Sequence, residues 1–454
     1  MNELKQKLRV STDGAAQSTG AAGGEVGPGP RSRMLYDDAC ALMPGGVSSP
    51  VRAFRAVGGT PVFISRAAGS RIADVDGNVY VDYIGGWGAL VCGHAAPSIV
   101  RSIAREALRG VPFGTSTAHE INLARRLMDA LPSLERMRFV STGTEAVMSA
   151  LRVARAATSR PLVLKFDGAY HGHADVVLAA AGSGLLTSGL ASSPGVPMEV
   201  AVLTVSVPYN DAEAVRSVLA EVDPKIAAVI VEPVAANMGV VPPVAGFLEE
   251  LREVTTRRGS LLIFDEVITG FRVGWGGAQG RYGVQPDLTC LGKIIGGGLP
   301  AAAYGGRADL LSLLAPEGPV YQAGTYSGHP LAMRAGCETL KILQSPGTYE
   351  RLEFLGGMLE TGLHEAAIRR GIPLTVNRVG SMLTPFFTAA PVTDLASARR
   401  SDTDAYSRFF HIMLQQGVLL PPSQFEAWFV SLAHDEQMIT STISKCEKAL
   451  AEIA

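Results

Sequence analysis

The sequence predicts an α/β fold built on a mostly parallel sheet, and three observations carry that prediction. Short apolar runs recur through the middle of the chain, helical stretches separate them, and glycine is abundant at 51 of 454 residues. A strand covered on both faces reads as an unbroken apolar run, because neither side meets water. Such strands alternating with helices describe a sheet sandwiched between helical layers.

Composition narrows the class. Hydrophobic residues make up 47% and charged residues 18% of the chain, the balance of a folded enzyme and not of a disordered polymer. A chain this long is expected to divide into more than one lobe. A formal net charge of −2 gives no electrostatic case for nucleic acid or an anionic membrane. No apolar run approaches the ~20 residues of a membrane span, and the N-terminus lacks the basic-then-apolar order of a secretory signal. The five cysteines (Cys40, Cys92, Cys290, Cys337 and Cys446) are scattered, with no CxxC pair. They suggest neither a disulfide framework nor zinc, and fit a reducing, cytoplasmic setting.

In chain order, residues 1–33 read as a flexible extension, rich in Gly, Ala and Ser from Ser11 to Pro30. Met34-Leu35-Tyr36 opens a short helix. Ile72 to Asp82 alternates about Gly77-Asn78 and reads as a β-hairpin. Ser98 to Arg109 is expected to be helical. From about Glu120 strands and helices alternate. Strands are expected at Arg138–Val140, Leu162–Phe166, Val202–Val205, Ala227–Val231 and Leu261–Phe264, with helices at Glu145–Ala157 and Phe247–Arg258. Beyond Pro330 a helix runs to about Leu343. A second lobe follows, with strands at Gly380–Phe387 and Phe429–Ala433 and helices at Ala405–Gln416 and from Asp435 onward. The N-terminal hairpin is expected to join this lobe.

Three stretches carry chemistry. Asp265 ends an apolar strand at its carboxyl end, where open α/β sheets bind ligands. A helix cap or an ion-pair partner explains it equally simply. Lys293 stands before Gly296-Gly297-Gly298, which leave room for another group to approach. An amine in apolar surroundings is a good nucleophile at neutral pH, whereas a snorkelling surface lysine is the plainer reading. Ser141-Thr142-Gly143-Thr144 joins a strand to a helix; it suits a phosphate on backbone N–H groups and suits an ordinary N-cap as well. Together, an anion cradle, a strand-end carboxylate and a reactive lysine are the fixed contacts that pyridoxal phosphate needs. His171 and His173 raise a metal, but no third ligand stands at a sensible spacing, and no metal is expected.

With these contacts in view, Asp265-Glu266-Val267 and Lys293 resemble the class III aminotransferases of the aspartate-aminotransferase fold type. From about Met34 onward the chain is similar to the glutamate-1-semialdehyde 2,1-aminomutases within that family. The likeness runs, in order, through Gly45 to Phe54, Tyr170 to Asp175, Ala181 to Gly184, Ser192 to Pro197, Glu232-Pro233 with Asn237, Tyr321 to Thr325, and Pro422 to Glu426. It implies fold type I, with a large domain holding a mostly parallel seven-stranded sheet at residues 111–335. It also implies a smaller α+β domain made from residues 336–454 with help from 34–110.

The resemblance also assigns roles. Lys293 would bond to the cofactor and Asp265 would contact its ring nitrogen. Gly143 and Thr144 would hold the phosphate with Thr325 from the second subunit of a homodimer with shared sites. Tyr170 would stack on the ring, with Val267, His171 and Asn237 also about the cofactor. Arg52 would grip the substrate carboxylate, and Ser49, Trp87 and Glu426 would line the substrate site. Ser183 lies in a segment similar to a lid. The implied reaction turns (S)-4-amino-5-oxopentanoate into 5-aminolevulinate by way of 4,5-diaminovalerate, for tetrapyrrole synthesis, with pyridoxal and pyridoxamine phosphate forms in the cycle. A related class III aminotransferase using a separate amino donor is the alternative. Some positions depart from the aminomutase pattern, among them Ser48, Ser141-Thr142, Tyr326, His329, Ala301–Ala303 and Thr384-Pro385. Trp428 is the departure expected to matter most, as a large ring near the substrate mouth.

Overall fold

The computed structural model describes residues 27–180, 190, 191, 193–222 and 224–453. Most of the expected N-terminal extension, and Ser183 with the segment around it, lie outside these residues. A helix over Pro30–Leu42 takes in the last residues that the sequence reading assigns to the flexible extension. The Asp76 carboxylate, from the turn of the predicted hairpin, accepts the Gly29, Arg31 and Ser32 N–H groups and so caps that helix from a distance.

The large sheet has seven strands: β1 (Arg136–Val140), β2 (Leu162–Phe166), β3 (Thr204–Val207), β4 (Ile226–Val231), β5 (Leu261–Glu266), β6 (Leu288–Leu291) and β7 (Ala302–Gly306). Their order is β1-β7-β6-β5-β4-β2-β3, and β7 alone runs antiparallel to its neighbours. Consecutive residues of one strand feed two separate cores. Ala228, Ile230, Leu261 and Ile263 pack with the Gly143–Thr158 helix. Val229, Val231, Leu262 and Phe264 pack on the opposite face with the Phe247–Arg258 helix. That two-sided burial is why the strands read as unbroken apolar runs.

The hairpin strands Arg71–Asp74 and Val79–Asp82 pair as predicted, and Val418 and Leu419 extend their sheet beside Val81 and Asp82. The N-terminal hairpin therefore does join the C-terminal region. A three-stranded sheet there comprises Thr375–Val379, Met382–Phe386 and Trp428–Phe429.

Some boundaries moved. The strand expected at Val202–Val205 starts at Thr204, because Met198–Ala201 forms a helical turn capped by Val202. The strand expected at Phe429–Ala433 is only Trp428–Phe429. The 23-residue helix Thr348–Arg370 was not foreseen, since Gly356, Gly357 and Gly362 interrupt its apolar period. Two of those glycines make room for neighbours: a Cβ on Gly356 would strike the Gly380 carbonyl, and one on Gly362 would strike Ile443.

Candidate active site

The site starts at the carboxyl ends of β4 and β5, adjacent parallel strands. Side chains alternate along a strand, so Asp265 and Glu266 point to opposite sides. Asp265 is buried; one carboxylate oxygen accepts from His171 Nδ1 at 2.8 Å and the other from the Val267 N–H at 3.1 Å. Glu266 turns into the protein and accepts from Ala278 N, Gln279 N, Gln279 Nε2 and Thr269 Oγ1. It is a structural staple for the turn that follows β5, and the neighbouring carboxylates are no functional pair.

Lys293 follows β6 and opens a single 3₁₀ turn, Lys293–Gly296. Its φ of 47° lies in the left-handed region, a strained conformation for a residue with a Cβ. Burial pulls the amine below the ordinary lysine range, while the Asp265, Glu232 and Glu426 carboxylates draw it back up. The glycines beside it do different jobs. A Cβ on Gly297 would collide with the Ala335 backbone, so that glycine serves helix packing; Gly298 faces the cavity. Val267 sits between two further glycines, where a Cβ would approach it to 3.1 Å from Gly143 and 3.2 Å from Gly292.

At the start of the Gly143–Thr158 helix, cap and cradle coexist. Thr142 Oγ1 accepts the Glu145 N–H, and the Glu145 carboxylate accepts the Ser141 and Thr142 N–H groups at 2.8 Å. The N–H groups of Gly143 and Thr144 have no partner among the described residues, and both residues line the cavity. Unpaired N–H groups at the positive end of a four-turn helix favour an anion. Thr144 Oγ1 also lies 3.2 Å from His173 Nδ1.

Sequence reasoning missed Glu232 as a site residue. It is buried at the end of β4, and burial raises its carboxyl above the usual range. It accepts the Tyr170 N–H at 2.7 Å, the Ala236 N–H at 3.0 Å and Asn237 Nδ2 at 2.9 Å. Through these bonds it places two cavity walls. The available signal was its position, a carboxylate closing an apolar strand just as Asp265 does.

These groups enclose a cavity of about 440 Å³ lined by Gly143, Thr144, Tyr170, His171, Glu232, Asn237, Asp265, Val267 and Lys293, among others. The expected substrate residues are placed differently. Ser49 is half-buried and Arg52 exposed, at and just after the start of the 3₁₀ turn Pro50–Ala53; neither lines the cavity. Trp87 is half-buried with φ 57°, and Thr325 is exposed. Glu426 is also off the lining, yet near enough to Lys293 to sense it; burial pushes its carboxyl up to about 7, against the pull of Lys293. Ser183 lies outside the described residues.

Trp428 corrects an expectation. Its ring is fully buried in the C-terminal core, parallel to Phe409 with centroids 6.3 Å apart, and it lines no part of the cavity. A residue two positions from Glu426 on an extended backbone faces wherever the surrounding core draws it, and here that is inward.

A lysine, a strand-end carboxylate and an anion cradle at the carboxyl edge of a mostly parallel seven-stranded sheet define a pyridoxal-phosphate enzyme of fold type I. The residues fit that cofactor. Among the described residues, Asp265 has no lysine or arginine partner, His171 Nε2 is buried without a hydrogen bond, and two helix N–H groups have no partner and suit a phosphate.

The class-III aminotransferase profile matches residues 54–446, and the chain belongs to that family. It is 57% identical over 423 residues to a glutamate-1-semialdehyde 2,1-aminomutase of Roseiflexus castenholzii, covering 93% of this chain and 98% of that one. Among solved structures, an omega-transaminase from Sphaerobacter thermophilus superposes with a TM-score of 0.87 at 32% identity, covering 94% of this chain and 98% of that one. A glutamate-1-semialdehyde aminomutase of Pseudomonas aeruginosa in complex with PMP gives 0.84 at 27% identity, covering 94% and 95%.

Proposed function

We propose that this chain converts glutamate-1-semialdehyde into 5-aminolevulinate by moving nitrogen from C4 to C5 of one carbon skeleton. The observation that carries this reading is the 57% identity, across nearly the whole of both chains, to a protein of that name. The fold alone does not choose, because a transaminase and an aminomutase superpose on it about equally well.

When bound, the cofactor in its pyridoxamine phosphate form would supply the nitrogen that ends on C5, take up the different nitrogen that leaves C4, and offer a ring that absorbs carbanion charge. In our assignment Gly143 and Thr144 hold the phosphate, with Thr325 of the partner subunit in a homodimer. Asp265 keeps the ring nitrogen protonated, and His171 holds the Asp265 carboxylate in place at 2.8 Å. Tyr170 would stack on the ring, with Val267 and Asn237 also about the cofactor. Lys293 Nζ binds the cofactor and moves protons: it accepts the proton that leaves C4 and delivers one to C5. Burial suits it to this, because a lysine of lowered pKa releases its proton readily.

Arg52 grips the substrate carboxylate, with Ser49, Trp87 and Glu426 around it. A neutral or ionised carboxyl at Glu426, where many class III relatives carry arginine for an α-carboxylate, suits a substrate with an aldehyde at that carbon. Residues 111–335 form the cofactor domain, and 34–110 with 336–454 form the smaller one. Among the described residues no helix is long and apolar enough to cross a membrane, which is compatible with the cytoplasmic site that we assign.

The test is product formation from glutamate-1-semialdehyde with no added amino acceptor. A strict requirement for a 2-oxo acid would sink the mutase reading in favour of an ordinary transaminase.

A further inference from the structure

Arg272 lies in the turn after β5, is 1% exposed, and has no acidic side chain within ion-pair distance among the described residues. A buried cation without a counter-charge is expensive and demands hydrogen bonds. Arg272 has three, all to neutral oxygens that are remote in sequence. Nη1 donates to Ser381 Oγ at 3.1 Å and to the Val430 carbonyl at 3.0 Å, and Nη2 donates to the Gly88 carbonyl at 2.6 Å. The guanidinium also lies over the Phe429 ring, 5.3 Å from its centroid.

The Gly88 end of this arrangement is unusual. Gly85, Gly86, Trp87 and Gly88 have φ values of 51°, 61°, 57° and 88°, four successive residues in the left-handed region. Three are glycines, for which this costs little; Trp87 is strained and needs its surroundings to hold it. Asp82 fixes the front of the segment, accepting the Ile84 and Gly85 N–H groups at 2.8 and 3.2 Å. Arg272 fixes the back, and Gly88 lies flat against Phe429, where a Cβ would come within 2.8 Å of the ring.

The geometry points to Arg272 as a positioning residue: it ties the end of the cofactor-bearing strand to the segment that presents Trp87, and so sets the substrate wall relative to Asp265 and Lys293. The planar fork matters, because one guanidinium reaches acceptors on the N-terminal segment and the C-terminal sheet at once, which a lysine ammonium on a single stem does not reproduce. The role rests on the assignment of Trp87 to the substrate site.

The experiment uses the cofactor-loaded enzyme with Arg272→Met, Arg272→Lys and Ser381→Ala. In Arg272→Met, KM for the semialdehyde rises about tenfold or more while kcat and cofactor affinity change less than about threefold. Amide exchange in residues 84–93 accelerates while β4 and β5 keep their protection. Arg272→Lys restores part of the KM and part of the protection. Ser381→Ala, which leaves the Gly88 bond intact, stays within about twofold of the parent in KM and in exchange over 84–93.

A proportional loss of kcat, cofactor affinity and melting temperature, or a Ser381→Ala variant as impaired as Arg272→Met, overturns the proposal in favour of general packing. Unchanged exchange over 84–93 in both Arg272 variants overturns it as well. Should Arg272→Met not fold, Arg272→Lys against Ser381→Ala gives the same contrast. If the parent enzyme makes no 5-aminolevulinate, the substrate reading fails while the exchange measurement still decides the role of Arg272.

Discussion

The two halves of the site are built in opposite ways. The cofactor half stands on strand ends and a helix start of one sheet: Asp265, Lys293, Gly143 and Thr144 all line one cavity within a single chain. The substrate half that we propose is assembled from loops distant in sequence, and Ser49, Arg52, Trp87 and Glu426 lie off that cavity's lining. Rigid elements suit a cofactor that must be held in one pose, whereas loops suit the part that must admit and release substrate. The same contrast explains why the fold superposes on transaminases and an aminomutase alike. The shared sheet specifies the cofactor, and the loops specify what is done with it.

The largest effect is expected at the centre of the cofactor half. Lys293→Ala should lower turnover by at least ~10³-fold and abolish the visible band of lysine-linked cofactor. A persisting band would move the site elsewhere. Asp265→Asn keeps the shape and loses the charge; turnover should fall by about 10²- to 10³-fold, and a variant retaining a tenth of the parent rate would refute its place at the ring nitrogen.

Arg52→Lys tests whether the halves are separable. KM should rise about tenfold, because a point charge replaces a bidentate fork, with the cofactor spectrum unaltered. A loss of cofactor binding instead would show that the halves are one unit.

Glu426→Gln probes where they meet. Desolvation pushes the half-buried carboxyl up to about 7 and, once ionised, it raises the proton affinity of Lys293. Capture of pyridoxal phosphate by the cofactor-free enzyme needs the neutral amine and therefore speeds up as pH rises. Without the Glu426 charge that rise should move to lower pH, as followed by absorbance. A shift to higher pH would contradict the coupling.

The smallest effect on activity is expected at Trp428→Phe. Its ring packs on Phe409 and Tyr83 in the core, so stability should drop by about 1–3 kcal/mol in denaturant unfolding while KM stays within about twofold. A clear rise or fall in KM would return this ring to the substrate mouth.

Much of the cofactor half was legible before any coordinates. Asp265 closes an apolar run, Lys293 precedes glycines, and Ser141 to Thr144 opens a helix; each is a local signal, and local signals place residues on elements well. Glu232 carries the same signal, a carboxylate closing an apolar strand. The Thr348–Arg370 helix was hidden because its glycines answer to partners far along the chain, Gly380 and Ile443.

By itself, then, the sequence determined the parallel sheet, the family and which residues are candidates to hold the cofactor, because strand ends, helix starts and turn residues depend on neighbours a few positions away. Tertiary structure decided which way side chains face and what they touch. It turned Asp265 to the cavity and Glu266 away from it, drew Trp428 inward, and set Arg272 against Gly88, Ser381 and Val430. The physical reason is that orientation follows from burial against distant segments. The bonds of Arg272 span 109 to 184 positions of chain, a separation at which no local pattern can specify a contact.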